Sequence, residues 1–127
     1  MMDALFGGVN AAVLTAMNAD LSVNIDRMVT HSRWLLANGC SNLAILGTTG
    51  EANSLGISER IAVMEGMVAH GISPARLLPG TGTTALTDTV LLTRRAAELG
   101  CRGGRCCYRH STTRIHPTTG CSPIFRK

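Results

Sequence analysis

The chain has 127 residues, 45% of them hydrophobic, which suffices for one modest domain with a buried core but not for a complete (β/α)8 barrel of roughly 250 residues. No apolar run approaches the roughly 18 residues of a membrane span, and no basic segment precedes an apolar one at the start, so we expect a cytoplasmic protein rather than a membrane or secreted one. The net charge of +4 is unevenly divided, because residues 1–101 hold six arginines and all eight acids, whereas residues 102–127 hold six basic residues and no acid.

The first predicted unit is a strand followed by a helix. Residues 11–15 form a short apolar run that predicts a strand, and after a polar turn apolar residues recur at the spacing of an amphipathic helix. These residues are Ile25, Met28, Val29, Leu35 and Leu36. Gly39 follows them where a left-handed C-terminal cap is needed, so we expect the helix to end there.

The second predicted unit combines a strand over residues 42–46 with a helix that ends at Gly71. Ser58 is the predicted N-cap, and Glu59 is favourable in the first turn because a carboxylate complements the positive end of the helix. The residues predicted to share one face of this helix are Ile61, Met64 and Val68.

The third predicted unit has a strand within residues 75–82 and a helix over residues 84–100. Its buried stripe is predicted to include Val90, Leu91 and Ala97, and Gly100 is the predicted cap. The three strands begin roughly 30 to 35 residues apart, which is the size of a strand-helix-strand unit.

Apolar strands that are each followed by a helix are typical of a parallel sheet covered by helices. Two architectures have this pattern, an open doubly wound sheet and the first three βα units of a (β/α)8 barrel, and periodicity alone does not choose between them. In both, ligands bind at the carboxyl ends of the strands. Thr15, residues 47–49 and residues 80–82 fall at these ends, so we expect them to converge on one rim.

The sequence Gly47-Thr48-Thr49-Gly50-Glu51 follows the second predicted strand. A turn of this composition can present backbone amides and two hydroxyls to a carboxylate or phosphate, and its glycines permit a close backbone approach. The alternative is a tight turn whose threonines satisfy nearby backbone groups. Nucleotide binding is disfavoured, because the lysine of a phosphate-binding loop and the third glycine of a dinucleotide motif are both missing.

An ordered set of motifs over residues 8–101 resembles the N-terminal part of the dihydrodipicolinate synthase and N-acetylneuraminate lyase family. The set comprises the apolar run ending in Thr15, the GTTGE motif, "LGISER", "LLPGTGTT" and "ELGC"; a departure is Ala16, where the family usually has proline. The resemblance implies a (β/α)8 class I aldolase that joins or cleaves a pyruvate unit through a Schiff base on a lysine. It also implies homo-oligomeric full-length relatives and no cofactor or metal.

The resemblance assigns roles to residues of the motif. It implies that Thr48 is catalytic, as the hydroxyl of a proton relay that includes two tyrosines. It implies that Thr49 helps to bind the carboxylate of pyruvate, with Gly47 and Gly50 as further substrate-binding residues. These roles agree with the anion site inferred from the residues themselves.

The amine and tyrosines of that mechanism are not in the expected positions. A Schiff base needs an amine held in a desolvated pocket, and the one lysine is Lys127, whereas the family's lysine ends the sixth strand. The one tyrosine is Tyr108, in a segment that does not resemble a strand. We therefore expect an inactive N-terminal fragment of such a lyase. The alternative is a non-enzymatic α/β module that binds a carboxylate or phosphate at Thr48 and Thr49, or a basic-tailed interaction protein.

Residues 102–127 form a tail rich in cysteine and arginine. It contains zinc-ligand types at Cys106, Cys107, His110, His116 and Cys121, but none of the usual paired spacings, so no metal site is predicted. Its basic residues lack a platform of aromatic side chains, so no nucleic-acid binding is predicted. A disordered basic tail is one interpretation.

A shift of the reading frame at about Gly103 is the interpretation that we favour. Codons permitted by residues 104–127 can be read one base back as "AVLLPPLYYKDPSDDGLFAYFSE". That peptide contains an apolar strand followed by a Pro-Pro-x-Tyr-Tyr element resembling the family's third strand and its relay tyrosine. The tail would then replace the continuation of the barrel.

Overall fold

The computed structural model describes residues 7–101, which form a short parallel sheet and three α-helices. The regular elements are β1 (Val9–Ala12), α1 (Ile25–Ala37), β2 (Cys40–Ala44), α2 (Ile57–Ala69) and α3 (Leu86–Glu98). Short 3₁₀ helices at Ala52–Ser54 and Pro74–Arg76 lie in the loops before and after α2. The tail, its possible metal ligands and the frameshift hypothesis concern residues outside this described part.

The strands pair in parallel, as predicted. β1 and β2 align Ala11 with Leu43 and Ala12 with Ala44. Residues 77–80 run along the other side of β2, where Leu78 N donates to Leu43 O at 2.9 Å and Gly80 N donates to Ile45 O at 2.8 Å. Pro79 lies between these two donors, so its missing N–H costs no bond to β2. The third predicted strand is therefore a short extended segment beside β2.

Helix α1 follows the predicted pattern. It begins after Asn24, whose side-chain oxygen accepts from the Arg27 amide at 2.9 Å, and its buried residues include Met28 and Val29. The three predicted helix-capping glycines, Gly39, Gly71 and Gly100, all adopt positive φ.

Helix α2 begins two residues earlier than a Ser58 cap would allow, so that prediction is wrong. The N-cap is Gly56, and its amide donates to Oε2 of Glu59 at 2.7 Å. Glu59 can reach back to this amide because it lies three residues into the helix, which it would not do behind a Ser58 cap. Met64 is buried as predicted, and Ile61 and Val68 are half-buried at the edges of the same face.

Helix α3 buries a different stripe from the predicted one. Its buried residues are Thr89, Leu92 and Ala96, whereas Val90 is half-buried and Leu91 and Ala97 are exposed. Thr89 turns inward because its hydroxyl accepts a hydrogen bond from the Thr83 amide at 3.1 Å. Thr89 therefore shares the buried face with Leu92 and Ala96, and a prediction from apolar residues alone leaves it out.

The core lies between the sheet and the helices. It combines strand residues with the inner faces of the helices, and its most deeply buried apolar residues are Val13, Met28, Leu43, Ile45, Val63, Met64, Met67, Leu77 and Leu92. Each of α1, α2 and α3 has 13 residues, and none of them is long and apolar enough to cross a membrane.

Candidate functional site

The GTTGE motif forms a turn directly after β2. Ile45 and Leu46 are buried at the end of the strand, and Thr48 and Thr49 are exposed on the turn. Leu46 has a φ of 55° and Glu51 a φ of 52°, so the turn lies between two residues in the left-handed region. Such conformations cost free energy in residues with a Cβ and are found most often where function fixes the backbone.

A cavity of about 350 Å³ opens at the carboxyl ends of the strands beside this turn. Gly47, Thr48 and Thr49 line it, so the structure brings these three predicted site residues together. The rest of the lining comes from the strand ends and the neighbouring loops, namely Ala12, Ala44, Ile45, Leu46, Glu51, Ala52, Asn53, Leu78, Gly80 and Gly82. The lining therefore combines apolar residues of the strand ends with polar residues of the turn.

The turn offers unpaired hydrogen-bonding groups to this cavity. Within residues 7–101, the amides of Gly47, Thr48 and Thr49 donate no hydrogen bond, and neither threonine hydroxyl has a partner. The Gly47 and Thr48 carbonyls are used instead, since they accept from the amides of Ala52 and Glu51 at 3.3 and 3.1 Å. Because Thr48 and Thr49 are exposed, these groups are available to solvent or to a ligand in the cavity.

Gly50, the fourth predicted site residue, lies beneath the turn rather than in the cavity wall. It is buried, and a Cβ there would meet Val13 O at 3.1 Å and Leu46 N at 3.2 Å. Its carbonyl accepts a hydrogen bond from the Thr15 hydroxyl at 2.6 Å. Packing thus gives Gly50 a reason to be glycine that is independent of substrate.

Two threonines predicted for the rim do not line the cavity. Thr15 is buried and bonded to Gly50, and Thr81 is buried, with its hydroxyl 3.0 Å from that of Thr93. The Thr15 hydroxyl bonds to the Gly50 carbonyl and the Thr81 hydroxyl to that of Thr93. Both hydroxyls therefore satisfy buried polar groups of the protein. Of the third rim segment, Gly80 and Gly82 line the cavity.

Sequence reasoning missed several residues near the cavity. Glu51 and Asn53 line it, and Arg60 lies buried behind it with hydrogen bonds to the carbonyls of Leu55 and Gly82. Burial lowers the pKa of the Arg60 guanidinium, and the negative charge of Asp88 partly offsets this effect. An arginine in a helix is normally exposed, so only the fold reveals this position.

The part of the chain between residues 7 and 101 contains no cluster of three or more His, Cys, Asp or Glu side chains placed to hold a metal ion. The chemistry available at the cavity is therefore that of amides, hydroxyls and one carboxylate, Glu51. These groups can bind an anion through the amides and can pass a proton through a hydroxyl.

Comparison with known proteins gives a consistent family. The dihydrodipicolinate synthetase family model matches residues 5–107. The chain is 35% identical over 98 residues to the 4-hydroxy-tetrahydrodipicolinate synthase of Desulforamulus reducens, an alignment covering 77% of this chain and 33% of the relative.

Solved structures agree in fold. Dihydrodipicolinate synthase from Agrobacterium tumefaciens superimposes with a TM-score of 0.72 at 37% identity, covering 75% of this chain and 33% of that one. A prophage protein of the dihydrodipicolinic acid synthase family from E. coli K12, solved in complex with pyruvate, gives a TM-score of 0.69 at 30% identity, covering 77% of this chain and 33% of that one. The chain thus spans about a third of the length of these relatives.

Proposed function

The chain belongs to the dihydrodipicolinate synthetase family, and we propose that its described residues form the carboxylate-binding side of a pyruvate-dependent Schiff-base lyase site. Its strands and helices are N-terminal βα units of a (β/α)8 barrel. The observation that carries the proposal is the turn at residues 47–49, which lines the cavity with amides and hydroxyls that have no partner within residues 7–101.

Thr49 and the neighbouring amides bind the carboxylate in this proposal. A carboxylate accepts several hydrogen bonds, and backbone N–H groups together with a hydroxyl are donors suited to it. Gly47 allows the ligand to approach the backbone, since a Cβ there would meet nothing within 4 Å and a hydrogen leaves still more room. Support comes from the E. coli K12 relative, which was solved with pyruvate bound.

Thr48 supplies one hydroxyl of a proton relay. Its side chain is exposed at the cavity, and a hydroxyl can accept a proton on one side while donating on the other. The tyrosines that would complete the relay are not among residues 7–101, which contain no tyrosine. The described residues therefore provide one member of the relay.

These 127 residues bind the 2-oxo acid without reacting with it. A Schiff base forms when an unprotonated lysine amine attacks the ketone carbon and water leaves, and this requires an amine beside the bound carboxylate. The family's lysine ends a sixth barrel strand, and residues 7–101 contain no lysine, since the one lysine of the chain is Lys127. Borohydride treatment with pyruvate should accordingly leave the mass of the chain unchanged, and a reduced pyruvate adduct would contradict this part of the proposal.

A titration with pyruvate tests the binding proposal. Thr49→Val keeps the shape of the side chain and removes its hydroxyl, so we expect pyruvate to bind about tenfold more weakly, the effect of losing one hydrogen bond to a charged group. Thr87→Val is the matched control, because Thr87 is exposed on α3 and does not line the cavity. Equal affinities of the two variants would contradict the role of Thr49.

A non-enzymatic anion-binding module is the second candidate, because the unpaired donors of the turn suit phosphate as well as a carboxylate. Competition separates the two functions. A site of the pyruvate-lyase type should bind pyruvate more tightly than inorganic phosphate, since apolar residues of the cavity lining can contact the methyl group of pyruvate. Tighter binding of phosphate would favour the module.

A further inference from the structure

Arg60 is the one charged side chain that is buried among residues 7–101. Its exposed fraction is 4%, and it lies on the inner face of α2 beside the buried Val63 and Met64. Burying a guanidinium disfavours the folded state unless its donors are satisfied. The location therefore calls for an explanation beyond core packing.

Two of the five N–H groups of the guanidinium donate to backbone carbonyls. Nε donates to Leu55 O at 3.2 Å, and Nη1 donates to Gly82 O at 3.2 Å. No carboxylate within residues 7–101 lies close enough to form an ion pair with Arg60, although Asp88 is near enough for its charge to favour the charged guanidinium. The side chain thus donates hydrogen bonds to the main chain of two loops, the one before α2 and the one before α3.

Both loops belong to the wall of the cavity. Gly82 lines it directly, and Leu55 follows the 3₁₀ helix Ala52–Ser54, in which Ala52 and Asn53 line it. The planar guanidinium fixes the direction of both bonds, so it sets the separation of the loops. We infer that Arg60 is a positioning residue that holds the GTTGE side and the Gly80–Gly82 side of the cavity at the spacing needed to bind the 2-oxo acid.

This inference rests on the proposed function for the ligand, and the structural part of the claim can be measured without one. The amides of Gly80 and Thr83 flank Gly82 and are hydrogen-bonded to Ile45 O and to the Thr89 hydroxyl. In Arg60→Met, which keeps an unbranched side chain but removes all donors, these amides should exchange with solvent about tenfold faster. The amides of α1, a helix that contains neither of the carbonyls bonded to Arg60, should keep their rates.

Pyruvate binding gives the second measurement. We expect Arg60→Met to bind pyruvate about tenfold more weakly, and Arg60→Lys to recover part of the loss because an ammonium keeps the charge and can reach one carbonyl. Arg94→Met is the matched control, since Arg94 is exposed on α3. If Arg60→Met does not fold, Arg60→Lys replaces it in the exchange measurement. The amides of Gly80 and Thr83 should then exchange faster in Arg60→Lys than in Arg94→Met.

The outcomes separate the two claims. Unchanged exchange at Gly80 and Thr83 in both Arg60 variants would overturn the positioning role, whatever the chain binds. Faster exchange at these amides without pyruvate binding by the unmodified chain would support the loop contact and defeat the proposed function. Faster exchange with unchanged pyruvate affinity would overturn the claim that the loop spacing matters for the ligand.

Discussion

Gly80 packs against the backbone that introduces the GTTGE turn. A Cβ at this position would overlap the Leu46 carbonyl oxygen and lie 2.9 Å from its carbon. Because Leu46 immediately precedes Gly47 and itself holds a φ of 55°, the course of the turn depends on residue 80 having no side chain. A backbone carbonyl cannot move aside as the end of a flexible side chain can.

Replacing this glycine should therefore destabilise the protein. We expect Gly80→Ala to lower the free energy of unfolding by about 1–3 kcal/mol, the range for inserting a methyl group into a closely packed site. Gly47→Ala is the control, because a Cβ at Gly47 meets no atom within 4 Å. Urea unfolding of both variants measures the difference, and similar losses in the two would show that the contact is relieved at little cost.

At the scale of elements, sequence patterns predicted the existence and order of the helices better than their orientation. The capping glycines were predictable because each follows the last residue of an apolar helical pattern. The burial of Met28 and Val29 was predictable because the apolar residues of α1 recur at a spacing that places them on one helical face. The face of α3 did not follow, because apolar residues occur on several of its sides and the buried face includes a hydrogen-bonded threonine, Thr89. Likewise, the residues of the turn were recognisable from composition, whereas the partners of Arg60 come from distant loops.

The orientation of α3 can be tested with two adjacent leucines. Leu92 is fully buried and Leu91 is 45% exposed. Leu92→Ala should lower the free energy of unfolding by about 2–5 kcal/mol because it leaves a cavity in the core, whereas Leu91→Ala should cost less than about 1 kcal/mol. Denaturant unfolding distinguishes them, and a larger loss for Leu91→Ala would restore the stripe predicted from the sequence.

At the scale of the molecule, apolar side chains remain exposed on both sides of the described layers. Val9 and Leu14 are 60% and 59% exposed near the edge of β1 that pairs with no strand among residues 7–101, and Leu86 and Leu91 are exposed on α3. A free strand edge with apolar neighbours is a common site of association between chains. The relatives that the chain matches are about three times as long, and in a closed barrel each strand pairs on both sides.

We expect the purified chain to self-associate as its concentration rises. Sedimentation velocity over a range of concentrations should show a rising average mass, and Leu86→Gln combined with Leu91→Gln should reduce it because the two changes remove apolar surface from α3. A chain that sediments as a monomer throughout the range would contradict this expectation.

The origin of residues 102–127 can be tested on the nucleic acid. We propose that a frameshift near Gly103 separates them from the sequence that would continue the barrel, on the basis of the codons that these residues permit. Sequencing across the codons for residues 100–109 and reading on in all frames should show an alternative frame that encodes the Pro-Pro-x-Tyr-Tyr element. Stop codons in that frame, or codons that encode other residues there, would contradict the proposal.

The central claim is that the turn at residues 47–49 binds the carboxylate of a 2-oxo acid, and amide chemical shifts during a pyruvate titration test it most directly. We expect saturable shifts that are largest at Gly47, Thr48 and Thr49, with smaller shifts at Gly80 and Gly82, which also line the cavity. Exposed residues of α1, such as Trp34, should be unaffected. Saturable shifts centred elsewhere, or no saturable shifts in the folded chain, would contradict the claim.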